Sequence, residues 1–145
     1  MRFRVLGPLQ TRTGDGRLVG IGAAKPKLML ATLLLSANRP VSLDRLAEVI
    51  WGDRPPRSAA GALRTYASAL RGSLALDDDV RIVAGPGAYR IEVTVDDLDL
   101  LVFEELVAAG QKALADGDAA GAAEHLQRGL ALWRGPPARR GPGRR

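Results

Sequence analysis

The sequence predicts an α+β chain in which a helix-turn-helix lies between an N-terminal β-hairpin and a C-terminal β-hairpin, with an all-α helical hairpin following. Three observations carry this expectation. Leu63, Ala67, Leu70 and Leu74 recur at i, i+4, i+7 and i+11, which draws one narrow apolar line along a helix. Gly52-Asp53-Arg54-Pro55-Pro56 separates that segment from Leu43–Trp51, and its prolines remove donors and bias the residues before them toward extended geometry. Thr13–Gly16 and Gly85–Gly87 are turn signals, each flanked by short runs of strand character.

Taken in order, Arg2–Leu9 and Leu18–Ile21 read as the strands of the first hairpin. Lys25-Pro26-Lys27 opens a helix, because proline is tolerated in a first turn, and the apolar run Leu28–Leu35 continues it until Asn38-Arg39-Pro40. That run is far too short to span a bilayer, so no membrane association is expected. Ser42 is placed to cap a helix over Leu43–Trp51, with Asp44 in the first turn where the helix dipole favours a carboxylate. Leu46 and Ile50 then face inward, and Trp51 closes the core. After the helix that holds Leu63 come Asp77–Asp79, then Arg81–Val83, the turn, and Tyr89–Val95 as the second hairpin.

Further on, Phe103, Leu106, Val107 and Leu114 recur at helical spacing. Gly117 ends this helix and Asp118 caps the next, which is expected to bury Ala122, Ala123, Leu126, Leu130 and Trp133. The expected division is 1–94, 95–135 and a Pro/Gly/Arg tail, 136–145, whose composition predicts disorder.

Charge follows the same division. Met1–Val93 holds 14 Lys and Arg against 8 Asp and Glu, a net of +6, whereas Thr94–Gly135 holds 3 against 8, a net of −5. Basic charge gathered in one segment is the electrostatic footprint of a nucleic-acid binder, and keeping the acidic segment separate preserves that field locally. On the Leu63 helix, Arg57, Arg64 and Arg71 recur every seventh residue along one edge, about 10 Å apart. Beside them lie only small residues: Ser58, Gly61, Thr65, Ser68, Ala69 and Gly72. Such a face suits the major groove of a duplex, although a merely solvated basic face has the same composition.

Catalysis is not expected. His125 stands alone beside Leu126, the clusters Asp77–Asp79 and Asp96, Asp97 and Asp99 lack calcium-loop spacing, and Gly85-Pro86-Gly87 is followed by neither Lys nor helix. No cofactor or metal is implied. The absence of cysteine, signal peptide and apolar span makes a reducing cytoplasm the expected setting.

Strands, three helices and a terminal hairpin make a winged helix, and several motifs make the resemblance specific. FRVLGPL at Phe3–Leu9, ANRPVS and DRL within Ala37–Leu46, IWGDRPP at Ile50–Pro56, ALRTYASALRGSL at Ala62–Leu74 and GAYRIEV at Gly87–Val93 resemble the Streptomyces antibiotic regulatory protein (SARP) family. The resemblance covers about Arg2–Pro136. It implies an OmpR/PhoB-type winged helix joined to a bacterial transcriptional activation domain of tetratricopeptide-like helices, the latter cut short here after one pair. It also implies sequence-specific binding to direct repeats in promoter DNA, contact with RNA polymerase, tandem copies on DNA, and control of a biosynthetic gene cluster.

Carried over by position, the resemblance makes Ala59–Leu74 the recognition helix, with Arg64, Thr65, Ser68 and Arg71 facing DNA and Arg57 at its N-terminal end. Arg54 falls in the loop before it, and Tyr89 and Arg90 fall in the wing. Ala69 and Gly72 stand where the family pattern usually has arginine, which implies weaker binding. The alternative is a protein-interaction module that pairs with a full-length regulator or with polymerase.

Overall fold

In the computed structural model, which describes residues 1–138, the turn Thr13–Gly16 joins two of three short antiparallel strands. These are β1 (Phe3–Arg4), β2 (Gln10–Arg12) and β3 (Leu18–Val19), in the order β1-β2-β3. The expected N-terminal hairpin is therefore a three-stranded sheet, and the expected strand Arg2–Leu9 is cut to Phe3–Arg4. The reason lies in the backbone after Arg4. Val5 N and Leu6 N donate to the two carboxylate oxygens of Asp99, at 2.8 and 3.1 Å, so this stretch cannot also serve a ladder.

Helix α1 (Ala24–Leu35) runs through the middle of the molecule, and Met29, Leu30, Ala31, Thr32, Leu33 and Leu34 are all buried. A helix apolar on every side has to be covered on every side. It packs against α2 (Leu43–Trp51), α3 (Ala59–Ser73) and the last strand of the second sheet. Asn38 ends the α1 segment in a left-handed conformation, φ 66°; its N–H donates to Ile91 O, and its side-chain oxygen accepts from Val93 N. One polar residue thus fixes α1 to that strand.

Ser42 caps α2 as expected, its hydroxyl accepting from Arg45 N at 3.0 Å. It also ends a strand the sequence did not suggest. β4 (Val41–Ser42) pairs with β6 (Ala88–Glu92), which pairs in turn with β5 (Arg81–Gly85), giving the order β4-β6-β5. The register sets Val41 opposite Tyr89 and Ser42 opposite Ala88. A two-residue strand has too little pattern to be seen before its partner is known. Of the wing strands, β5 runs two residues beyond the expected Val83, to Gly85, whereas β6 is shorter than expected and ends at Glu92 instead of Val95.

On α3 the expected apolar line is the buried one: Leu63, Ala67, Leu70 and Leu74 are each no more than 1% exposed. They join Phe3, Val5, Leu33, Leu46, Ile50 and Ile91 in a single core. Trp51 is half-buried at the margin of that core, its ring centroid 6.1 Å from that of Tyr66.

A single 3₁₀ turn (Val95–Asp97) leads into α4 (Asp99–Ala115), which pairs with α5 (Ala119–Leu130). Gly117, φ 80°, makes the turn between them and Asp118 caps α5 through Gly121 N, both as the sequence indicates. The helices cross closely at Gly110, where an added Cβ would lie 2.8 Å from Leu126 Cδ2. Burial along α5 is narrower than expected. Ala122 is buried, but Ala123 is exposed, Leu130 is 67% exposed, Trp133 38% and Leu114 58%. Each of these two helices covers one stripe on the other, so among the described residues a wider apolar stripe remains partly open. Trp133 keeps an edge-to-face contact with Phe103 at 5.5 Å.

The helix pair is tied to the first sheet. Phe3 bridges Leu98, Arg134 N donates to Leu6 O, and Ala138 N donates to Val5 O, the last two at 2.8 Å. Ala138 is buried, which corrects the expectation of disorder for Pro136–Ala138: one backbone bond and one buried methyl hold this stretch, and the bond from Arg134 anchors the chain just before it. The rest of the expected disordered tail lies outside the described residues.

Asp99 is 1% exposed and occupies the first turn of α4, where the helix dipole favours its charge. Asp99→Ala leaves two buried N–H groups unpaired and is expected to lower stability by about 3 kcal/mol in urea unfolding, with Asp99→Asn losing roughly half as much. A loss below about 1 kcal/mol for Asp99→Ala would show that water replaces the carboxylate.

Candidate nucleic-acid interface

Because α3 buries the Leu63 line, its other side is turned outward. Arg64, Thr65, Ser68, Ala69, Arg71 and Gly72 are exposed, and Arg57 and Ser58 are exposed just before its first turn. The sequence therefore places these side chains on the expected face. The structure separates them by what else they hold.

Arg57 and Arg64 make no hydrogen bond or ion pair among the described residues, and the same is true of Arg54 in the loop after Gly52, φ 65°. Thr65 donates its hydroxyl to Gly61 O at 3.2 Å, one turn back on its own helix. Arg71 is engaged elsewhere. Its Nε and Nη2 both donate to Ile82 O, at 3.2 and 2.7 Å, which binds the C-terminal part of α3 to β5.

The wing holds a carboxylate the sequence reading missed. Glu92 lies opposite Arg81 across the β5–β6 ladder and two residues from Arg90 on the same face. It takes both: Arg81 Nη2 sits 2.6 Å from Oε1 and Arg90 Nη2 2.6 Å from Oε2. Arg90 is thus half-buried and paired, not an unattached cation. Its spacing from Glu92 was visible; the pairing of Glu92 with Arg81 required the register. Tyr89 is corrected outright as an interface residue. It is 7% exposed and packs in the core opposite Val41 and Ala84, because alternation turns Tyr89, Ile91 and Val93 inward and Arg90 and Glu92 outward.

Arg2 is a second residue the sequence did not single out. It is 8% exposed and reaches the far end of α3, where Nη2 donates to Leu74 O at 3.0 Å. Its guanidinium also lies 3.7 Å from Asp77, whose carboxyl is held below the usual range by hydrogen bonds from Asp79 and Val80 and then by Arg2. A cation on the last carbonyls of a helix complements its dipole. The C-terminal end of α3 is therefore fixed twice, by Arg2 and by Arg71, while Arg64 in its N-terminal half and Arg57 just before it make no such bond among the described residues.

A model of the bacterial transcriptional activator domain matches residues 98–144. The transcriptional regulatory protein EmbR of Mycobacterium tuberculosis is 38% identical over 137 residues, and the regulatory protein AfsR of Streptomyces coelicolor 38% over 136. These alignments cover 92% and 93% of this chain. The solved structure of M. tuberculosis EmbR in complex with a low affinity phosphopeptide superposes with a TM-score of 0.82 at 37% identity over 94% of this chain. The chain belongs to the SARP family. Its fold is that family's α+β winged helix followed by a helical hairpin, and the family consists of transcriptional regulators. This SARP chain spans 35% of the length of EmbR and 13% of that of AfsR. No helix among its described residues is long and apolar enough to cross a membrane.

The wing supplies a pH test. Hydrogen bonds from Arg81 and then Arg90 hold the Glu92 carboxyl below its ordinary value of 4.5. A group lowered on folding lends stability above its unfolded value and loses it as pH falls through the folded one. The Glu92 contribution is therefore complete above about pH 4.5 and declines below it. In Glu92→Gln the urea midpoint should fall less between neutral and acid pH than in the parent; parallel curves would remove Glu92 from the acid sensitivity.

Proposed function

We propose that this SARP chain binds promoter DNA sequence-specifically, with α3 in the major groove and the β5–β6 wing alongside. The observation that carries the reading is the outward face of α3, where Arg57 and Arg64 stand exposed and unattached beside small residues on a helix fixed at its other end. Arg64 and Ser68, with Thr65 beside them, have the donors to address base edges. Arg57 lies where the first N–H groups of a helix also favour phosphate. Arg54 supplies a backbone contact from the loop. Arg71 acts chiefly as a positioning residue, with Nη1 left for phosphate, and Arg90 reaches DNA only by sharing itself with Glu92.

In this reading residues 1–94 bind DNA, and the helical segment that begins at 95 meets RNA polymerase. The chain works in the cytoplasm, with copies side by side on direct repeats. A second reading, a module that pairs with another regulator, is favoured by the exposed Leu114, Leu130 and Trp133.

Selection from a random duplex library at near-physiological salt should enrich a repeated motif. On that motif Arg64→Ala should cost ~1–3 kcal/mol at one base position if it reads a base, or lower the salt slope by roughly 0.9 if it meets phosphate. Its melting temperature should stay unchanged, because Arg64 is exposed and makes no hydrogen bond or ion pair among the described residues; Arg71→Ala should lower both binding and melting temperature. No enrichment by folded protein would favour the interaction module.

A further inference from the structure

β3 is an outer strand of the first sheet, with no strand beyond it among the described residues. Arg12 N donates to Arg2 O on the β1 side, and Thr13 N donates to Arg17 O across the turn. Antiparallel ladders alternate hydrogen-bonded and open pairs, so Arg12 and Leu18 form an open pair. Leu18 consequently turns its N–H and C=O groups away from the sheet, and the strand ends one residue later, at Val19. Leu18 is 59% exposed, and an open groove of about 310 Å³ runs beside it, lined by Leu9, Val19, Ile21 and Lys27.

The surroundings of this edge are basic. Arg17, Lys25 and Lys27 are exposed and make no ion pair among the described residues. α1 starts just after the edge, with no capping side chain and no acidic residue in its first turn. Its free N–H groups add to the positive field there.

We infer that this edge docks an extended segment of a partner protein in which acidic and apolar residues alternate, added to the sheet as a fourth strand beside β3. Backbone bonds to Leu18 supply the pairing, alternate apolar side chains enter the groove, and the acidic ones meet Lys25, Lys27 and Arg17. A second copy of this chain is the poorer occupant, since pairing β3 with itself would bring like cations together.

The test uses the full chain without DNA, so its result is independent of the promoter reading. A short capped peptide of alternating Glu and Val is titrated into ¹⁵N-labelled protein, with a Lys/Val peptide as control. The amides of Leu18–Ile21 should shift with the Glu/Val peptide only, and Leu18→Asp and Lys27→Glu should each weaken binding by roughly tenfold, a loss of ~1.4 kcal/mol. Leu18 and Lys27 are both exposed, so each variant should melt like the parent. No shift at these amides, equal binding of the Lys/Val peptide, or shifts centred on Leu114 and Leu130 would overturn the proposal. So would a dimer in sedimentation that Leu18→Asp dissolves, which would assign the edge to self-pairing.

Discussion

Leu63, Ala67, Leu70 and Leu74 decide which way α3 faces, and the rest of the candidate interface follows from that choice. Each is buried against a core built around α1, and side chains on a helix hold fixed angles to one another. Rotating α3 to hide Arg64 would lift four apolar side chains into water, at about 1.5–3 kcal/mol for each Leu. No surface ion pair could offset that. The core thus orients the arginines, although they take no part in it.

Orientation does not make these arginines equivalent. Arg71 is bound to a carbonyl of β5 through two nitrogens, Arg81 and Arg90 share one carboxylate, and Arg2 is enclosed against the end of α3. A guanidinium held by two donors to one acceptor is fixed in direction, and a ligand that takes it over must replace those bonds. Arg57 and Arg64 carry no such obligation but must lose side-chain freedom on binding. A count of basic residues on this face therefore overstates its free positive charge. The separation runs along the helix axis, with attachment at the C-terminal end and freedom at the N-terminal end.

Much of this was legible in the sequence because it depended on local rules. The helical period of the Leu63 line, the Ser42 and Asp118 caps and the Gly117 turn are set by neighbours within a few residues. The missed features are set across the chain. Asp99 meets Val5 and Leu6, Asn38 meets Val93, Arg2 meets Leu74, and Glu92 meets Arg81 only once β5 and β6 are in register. Tyr89 shows the same limit: an aromatic residue in a hairpin points either to the core or to a ligand, and only the alternation fixed by pairing chose the core. The over-broad burial expected for α5 has another cause, since periodicity marks an apolar stripe without saying how many neighbours will cover it.

Asp99 also bears on how two segments of opposite charge coexist. The basic segment, +6, and the acidic one, −5, would attract each other without preference for one geometry, because Coulomb forces between exposed charges are weakly directional and are screened within about 8–10 Å. Two hydrogen bonds from consecutive N–H groups to one buried carboxylate are directional, and burial protects them from salt. Added to the backbone bonds from Arg134 and Ala138, they fix α4 and α5 to the strand that leads into the core. The contact is made with an acceptor and a strand end rather than with the basic side chains, so it leaves Arg57 and Arg64 unneutralised. An attachment built on ion pairs would have engaged the same charges that a duplex requires.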